Sequence, residues 1–257
     1  MKIIFIGTGS GKTSLKRNHS SIALIKAGGV HLIDCGDGVS RALLSAKISP
    51  LDIDSILISH FHADHAAGLP SLVTQMKLQH RTKKLKIFTY KHHVEFVALM
   101  LECALLFQSN LGFDLEIVPF ENNCAISLGN GMSVLPRKNS HISEKYGETK
   151  FSNNQFYSAS FLIQIENSNL YYSADIGNVE DLKIFCAFSC DTAILETTHV
   201  NTDDLNKFIE SGKFKRVFLT HIGDETEIEL QKWIAKIRAE YSASIQLAYD
   251  GFEIEII

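Results

Sequence analysis

The chain has 257 residues, 45% hydrophobic and 21% charged, an ordinary soluble, folded composition of a size for one or two domains. Acidic residues outnumber basic ones by 29 to 25, and a net charge of −4 argues against a protein whose main task is to coat nucleic acid. Five cysteines, an odd number scattered through a chain large enough to bury its own core, argue against a disulfide scaffold and for a reduced, cytoplasmic protein. Cys186 and Cys190 read as buried small hydrophobes rather than metal ligands. The apolar run Ile3-Ile4-Phe5-Ile6 is too short for a signal peptide, and no apolar stretch approaches the roughly 20 residues of a membrane span.

Strand-like segments open the chain at 3–6, 21–25 and 30–33, separated by clusters of glycine, serine and lysine. Residues 39–46 read as a helix and 55–59 as a buried strand, and Leu69, Leu72, Val73 and Met76 recur at helical spacing. A second strand and helix follow at 86–90 and 93–107. Strands return at 115–118, 125–128, 132–135, 160–165 and 170–173, with Gly129-Asn130-Gly131 as a turn and a polar, irregular stretch over 138–157. The last third alternates strand 192–195, helix 202–211, strand 216–220 and helix 225–240, then closes with strands at 245–247 and 252–256. With four prolines and no linker, the spacing predicts a single domain over 1–257 whose two α/β halves share one core.

The segment Gly7-Thr8-Gly9-Ser10-Gly11-Lys12-Thr13 ends like a phosphate-binding loop, but Ile6 stands where that motif needs its first glycine. A glycine-rich turn that lets backbone approach a ligand is the better reading. The informative segment is Ser59-His60-Phe61-His62-Ala63-Asp64-His65, directly after the apolar Ile56-Leu57-Ile58. In an extended backbone His60 and His62 project to one side, as one metal requires, and Asp64 and His65 can turn toward a second. Neutral imidazoles with a carboxylate suit zinc, and manganese and iron accept them too. Further ligands must come from elsewhere. His141, Asp175 and His221 are the candidates, each just past an expected strand and so able to meet at one sheet edge.

These residues resemble the metallo-β-lactamase-fold hydrolases, and among them the ribonuclease Z-like branch. The resemblance covers most of the chain: Phe5-Ile6-Gly7-Thr8-Gly9, Arg17-Asn18-His19-Ser20-Ser21, Asp34-Cys35-Gly36-Asp37-Gly38, the His60 to His65 motif running into Gly68-Leu69-Pro70, then His141, Ser173-Ala174-Asp175-Ile176-Gly177, Leu195-Glu196-Thr197-Thr198 and Thr220-His221. It implies an α/β four-layer αβ/βα sandwich, two mixed sheets flanked by helices, with two divalent metal ions at the sheet edges. His60, His62 and His141 would hold one ion, Asp64, His65 and His221 the other, and Asp175 would bridge them. The implied chemistry is a phosphodiesterase using a hydroxide shared by the two ions as nucleophile. Asp64 would orient or deprotonate that water, Asp34 would fix a histidine tautomer, and His199 would protonate the leaving oxygen.

The chain departs from the tRNA-maturing enzymes of that branch. Their Pro-x-Lys-x-Arg-Asn loop is matched by Thr13-Ser14-Leu15-Lys16-Arg17-Asn18, which keeps only the Arg-Asn half, and Leu195 replaces the histidine of their His-Glu-Ala-Thr motif. About 30 residues between His141 and Asp175 leave no room for a long tRNA-gripping arm. The expected substrate is therefore a small or single-stranded phosphodiester, RNA included, with Lys12, Lys16 and Arg17 offering anion contacts. Two other readings compete: hydrolysis of a thioester, lactone or other acyl bond on the same metals, and a non-enzymatic metal-bound sensor or scaffold for a phosphate ligand. The apolar helix over 93–107 suits either core packing or a homodimer.

Overall fold

The computed structural model describes residues 1–142, 156–166, 168–212, 214–237 and 244–256. The chain forms two compact units, Met1–Gly7 with Arg17–Glu121 and Asp250–Ile257, and Thr8–Lys16 with Asn122–Tyr249. Each contains one mixed seven-stranded sheet flanked by helices.

In the first unit, β1 (Lys2–Gly7), β2 (Ser21–Lys26), β3 (Gly29–Ile33), β4 (Ile53–Leu57), β5 (Leu85–Tyr90) and β6 (Leu115–Phe120) lie side by side in chain order. The pairings turn from antiparallel to parallel at β3, so β3, β4 and β5 run the same way. Helices α1 (Val39–Ser45), α3 (Leu69–Leu78) and α4 (Val94–Cys103) bury Leu43, Leu72, Val73, Met76, Val97 and Leu101 against Ile4, Leu32, Ile56 and Ile87 of the sheet. A short helix, α2 (Ala63–Ala66), precedes α3, and α5 (Gln108–Leu111) follows α4. The expected helix over 93–107 ends early. Leu105 takes φ 59°, turning the chain so that Leu106 is buried while Leu105 and Phe107 stay exposed. At Gly7 a Cβ would overlap the backbone carbonyl of His19. The close approach expected there is thus made to the protein's own chain.

In the second unit the strands are β7 (Ile126–Gly129), β8 (Met132–Lys138), β9 (Ala159–Ile165), β10 (Ser168–Tyr172), β11 (Thr192–Glu196), β12 (Arg216–Thr220) and β13 (Ser244–Leu247), again side by side in chain order. β9 is antiparallel to both β8 and β10, and β10 to β13 are parallel. The C-terminal ends of β8, β10, β11 and β12 therefore share one edge. Helices α6 (Thr202–Ser211) and α7 (Glu227–Ile237) bury Leu205, Ile209, Ile234 and Ile237 against Ala193, Leu195, Val217 and Leu219. The expected helix over 225–240 matches α7, and its last three residues lie outside the described residues, as do 143–155 of the polar stretch. A 3-10 helix, Val179–Phe185, was not expected, because seven residues carry too little periodicity to read. Strand β14 (Glu253–Glu255) returns to the first unit and pairs antiparallel with β1. All five cysteines are free thiols; Cys190 is buried as expected, whereas Cys186 is exposed, since it caps the 3-10 helix outward.

Candidate metal centre

In the first unit His60, His62, Asp64 and His65 leave the C-terminal end of β4 together. Ile58 still pairs with β5, through its N–H to the Phe88 carbonyl at 3.0 Å, so the loop starts from a fixed point. His62 is the extended residue before α2, and the turn that follows carries Asp64 and His65 inward. The ring of His60 lies 4.8 Å from that of His62 and 4.1 Å from that of His65, and His65 Nε2 is 3.5 Å from Asp64 Oδ2. Cys35 N–H donates to the His65 carbonyl at 2.7 Å and Gly68 N–H to the Cys35 carbonyl at 2.9 Å, which stitches this loop to the one after β3.

Asp34 directly follows β3, wholly buried at φ 63°. Its Oδ1 accepts the Ser59 N–H at 2.7 Å, and its Oδ2 accepts the Ser59 hydroxyl at 2.8 Å and faces His65 Nδ1 at 2.8 Å. A carboxylate can only accept, so Nδ1 of His65 carries the proton and Nε2 keeps its lone pair. The Ser59 hydroxyl spends its hydrogen on Asp34 and must accept from His60 Nδ1, 3.0 Å away, which fixes His60 in the same tautomer. One buried carboxylate thus sets two histidines to present Nε2. Burial, aided by Asp34, pushes the Cys35 thiol far up and keeps it protonated beside them.

In the second unit His141, Asp175, Glu196, His199 and His221 gather at the shared strand edge. Asp175 Oδ2 lies 3.2 Å from His221 Nε2 and 3.6 Å from His141 Nε2. Ala174 and His221 adopt φ 47° and 55°, left-handed conformations that cost an L-residue about 1 kcal/mol each and persist only where their surroundings hold them. The Thr198 hydroxyl donates to the His221 carbonyl at 2.7 Å, so it accepts from His221 Nδ1 at 3.0 Å and again leaves Nε2 with the lone pair. Buried Glu196 accepts from Ile176 N–H and faces His199 Nδ1 with Oε1, at 3.2 and 2.9 Å, and accepts the Thr198 and His199 N–H groups with Oε2. His199 is about one-third exposed, 4.6 Å in ring separation from His141.

Each unit thus brings together its share of the residues singled out from sequence, and the imidazole nitrogens and carboxylates suit a divalent metal. The sequence missed Ser59 and the tautomer-setting role of Thr198. Ser59 adjoins His60 in the sequence, whereas Thr198 lies 23 residues from His221 and gave no local signal. The expected anion contacts fare less well: Lys12 pairs with Glu225 at 3.5 Å, and Arg17 is buried. The Thr8–Lys16 loop is instead pinned to the loop after β12, through Ser14 to Asp224 at 2.8 Å and Ile222 N–H to the Thr8 carbonyl at 2.9 Å.

A family model described as anti-Pycsar protein Apyc1 matches residues 1–235. The ribonuclease Z of Methanocaldococcus jannaschii is 46% identical over 88 residues, 34% of this chain and 28% of that protein. The curated ribonuclease Z relatives are matched over little more than a third of their length at most. Among solved structures, the metallo-β-lactamase fold protein YhfI from Bacillus subtilis superposes with a TM-score of 0.77 at 18% identity, over 98% of both chains. Human short-form tRNase Z gives 0.73 at 21%, over 100% of both. The fold is the metallo-β-lactamase fold.

Proposed function

The chain belongs to the anti-Pycsar protein Apyc1 family, and from that membership and its ribonuclease Z relatives we propose that it is a divalent-metal-dependent phosphodiesterase. The observation that carries the reading is the common tautomer of His60, His65 and His221, each pinned at Nδ1 so that Nε2 keeps its lone pair, with that of His65 facing Asp64 and that of His221 facing Asp175. In this reading His60, His62 and His141 hold one ion, Asp64, His65 and His221 the other, and Asp175 serves both. Zinc suits this set best, with manganese and iron next. Residues 1–257 act as one domain, a reading supported by a first unit assembled from three separate stretches of chain.

When bound, such ions acidify water and stabilise charge on a phosphoryl oxygen. The chain's own groups do the rest. The Asp64 carboxylate would orient the attacking water or accept its proton. Glu196 fixes the His199 ring through Nδ1 and leaves Nε2 to carry a proton to the leaving oxygen. The substrate is a small or single-stranded phosphodiester, RNA included, as the ribonuclease Z relatives and the absent Pro-x-Lys half of the tRNA loop together suggest. Phe96 and Leu99, 37% and 56% exposed on α4, support a second copy of the chain as partner. The free thiols support a reducing, cytoplasmic setting. Among the described residues no helix is long and apolar enough to cross a membrane.

Hydrolysis of bis(p-nitrophenyl) phosphate by protein reconstituted with zinc or manganese tests the assignment, with Asp64→Ala as control. Metal-dependent turnover that collapses in the variant is expected. An inert metal-loaded wild type that cleaves a thioester or lactone would overturn it in favour of acyl hydrolysis, and full metal occupancy without any turnover would favour a phosphate-binding scaffold.

A further inference from the structure

Three donors from two loops converge on one oxygen of Asp181. The Ser140 N–H at 3.0 Å, the Ser140 hydroxyl at 2.7 Å and the Gly177 N–H at 2.8 Å all donate to Oδ2. Ser140 immediately precedes His141, and Gly177 lies two residues after Asp175. Asp181 is buried in the 3-10 helix Val179–Phe185, where its N–H bonds to the Asn178 carbonyl at 3.1 Å and its carbonyl accepts the Tyr171 hydroxyl at 3.2 Å. Asn178 Nδ2 closes the ring by donating to the Ser140 hydroxyl oxygen at 2.7 Å. A Cβ at Gly177 would overlap the Ser140 carbonyl and hydroxyl oxygens, so the two loops touch backbone to backbone.

We propose that Asp181 is a positioning residue that sets the separation of His141 and Asp175 and thereby the affinity for metal; the inference rests on the reading of those two residues as ligands. The carboxylate stands in the 3-10 helix that directly follows the Asp175 loop, four residues after Gly177. It is fixed from below by Tyr171, which is rooted in β10, and so ties the chain after β8 to the chain after β10 at a point beyond the reach of either strand's ladder. Asn139 adds a weaker tie, donating to the Asp175 carbonyl at 2.8 Å and accepting the His141 N–H at 3.2 Å, but it sits on the His141 loop itself. Without the acceptor on Asp181, Ser140 loses two of its bonds and Gly177 one. The 3.6 Å approach of His141 Nε2 to Asp175 Oδ2 then loses its most heavily bonded tie and leans on Asn139 and on the single Asn178 bond to Ser140. Metal binding would have to reorder the loops, and outer groups of this kind typically carry about 10- to 100-fold of metal affinity.

The test compares the zinc-loaded full chain with its Asp181→Ala, Asp181→Asn, Ser140→Ala and His141→Ala variants. Zinc affinity and stoichiometry are read by competition with a chromophoric chelator, thermal melting reports folding, and turnover is followed as zinc is raised. Asp181→Ala is expected to melt cooperatively, to lose about 10- to 100-fold in affinity for zinc, and to recover turnover in excess zinc. Asp181→Asn, which keeps an acceptor oxygen, should remain near wild type. Should Asp181→Ala fail to fold, Ser140→Ala removes the hydroxyl's bonds to Asp181 and from Asn178, keeps the Ser140 N–H bond to Asp181, and should still weaken zinc binding. Wild-type affinity in every folded variant at Asp181 and Ser140 overturns the proposal, as does an equal loss in Asp181→Asn and Asp181→Ala. Undiminished zinc binding by His141→Ala would instead overturn the ligand reading beneath it.

Discussion

The Oδ2 of Asp34 faces Nδ1 of His65 at 2.8 Å, and the same oxygen accepts the Ser59 hydroxyl that fixes His60. Two imidazoles therefore depend on one carboxylate that touches no metal in the assignment above. Asp34→Ala frees both rings to rotate and change tautomer. A loss of about 10- to 100-fold in zinc affinity is expected by chelator competition. Ser59→Ala, which releases only His60, should lose less.

Glu196 and His199 should act as a pair, but only on some substrates. A p-nitrophenolate leaves without a proton, whereas a sugar alkoxide needs one. Loss of a positioned acid costs about 10²- to 10⁴-fold where it is needed. His199→Ala is therefore expected to reduce kcat strongly on a dinucleotide and hardly at all on bis(p-nitrophenyl) phosphate, and Glu196→Gln should follow it in direction. Equal losses on both substrates would count against a proton donor at His199.

His31 links folding to pH. It lies buried in β3 with Nδ1 2.8 Å from the Ser55 hydroxyl, and burial, reinforced by Lys83 and opposed by Asp54, lowers its pKa. The unfolded chain then binds a proton that the folded protein resists, starting near pH 6.5. Stability present above that pH should fall as the pH drops toward the depressed folded value, by about 1.4 kcal/mol for each unit of depression. Denaturant titrations at pH 7.5 and 5.5 should show a smaller acid-induced loss in His31→Leu than in the wild type.

Arg81 offers the opposite case, stability without chemistry. Its buried guanidinium donates to the carbonyls of Pro50, Leu51, Ile53, Lys83 and Lys84 and packs 5.4 Å from the Phe113 ring centre. Arg81→Met strands several carbonyls at once and should destabilise the protein by about 3 kcal/mol or more. The kcat of the protein that remains folded should be unchanged at 25 °C.

Sequence and structure agree best where a residue announces its own chemistry. The His60 to His65 cluster follows an apolar strand, and the structure places it at the end of β4 as read. The strands and helices of the last third, 192–195, 202–211 and 216–220, fall within a residue of β11, α6 and β12, because alternation and helical spacing are strong there. Groups that act through shape were illegible. Asp181 reads as an ordinary surface carboxylate, since its role depends on two loops distant in sequence meeting at Ser140 and Gly177. The end of α4 was equally hidden, because the apolar residues continue through Phe107 after Leu105 has reversed the chain. Local pattern reports burial and period, and it carries no record of distant acceptors.

The pairing of β14 with β1 has a bearing on the order in which the protein comes off the ribosome. Ile3 lies opposite Ile254, so β1 waits for a strand made after the whole second sheet before its outer edge is covered. Until then β1 exposes an open ladder, a template for strands of other chains. Contacts of such span slow folding by the loop they must close, and they make it complete only after the second sheet has been synthesised. A nascent chain stalled before residue 250 should therefore be a sticky one, captured by chaperones at β1.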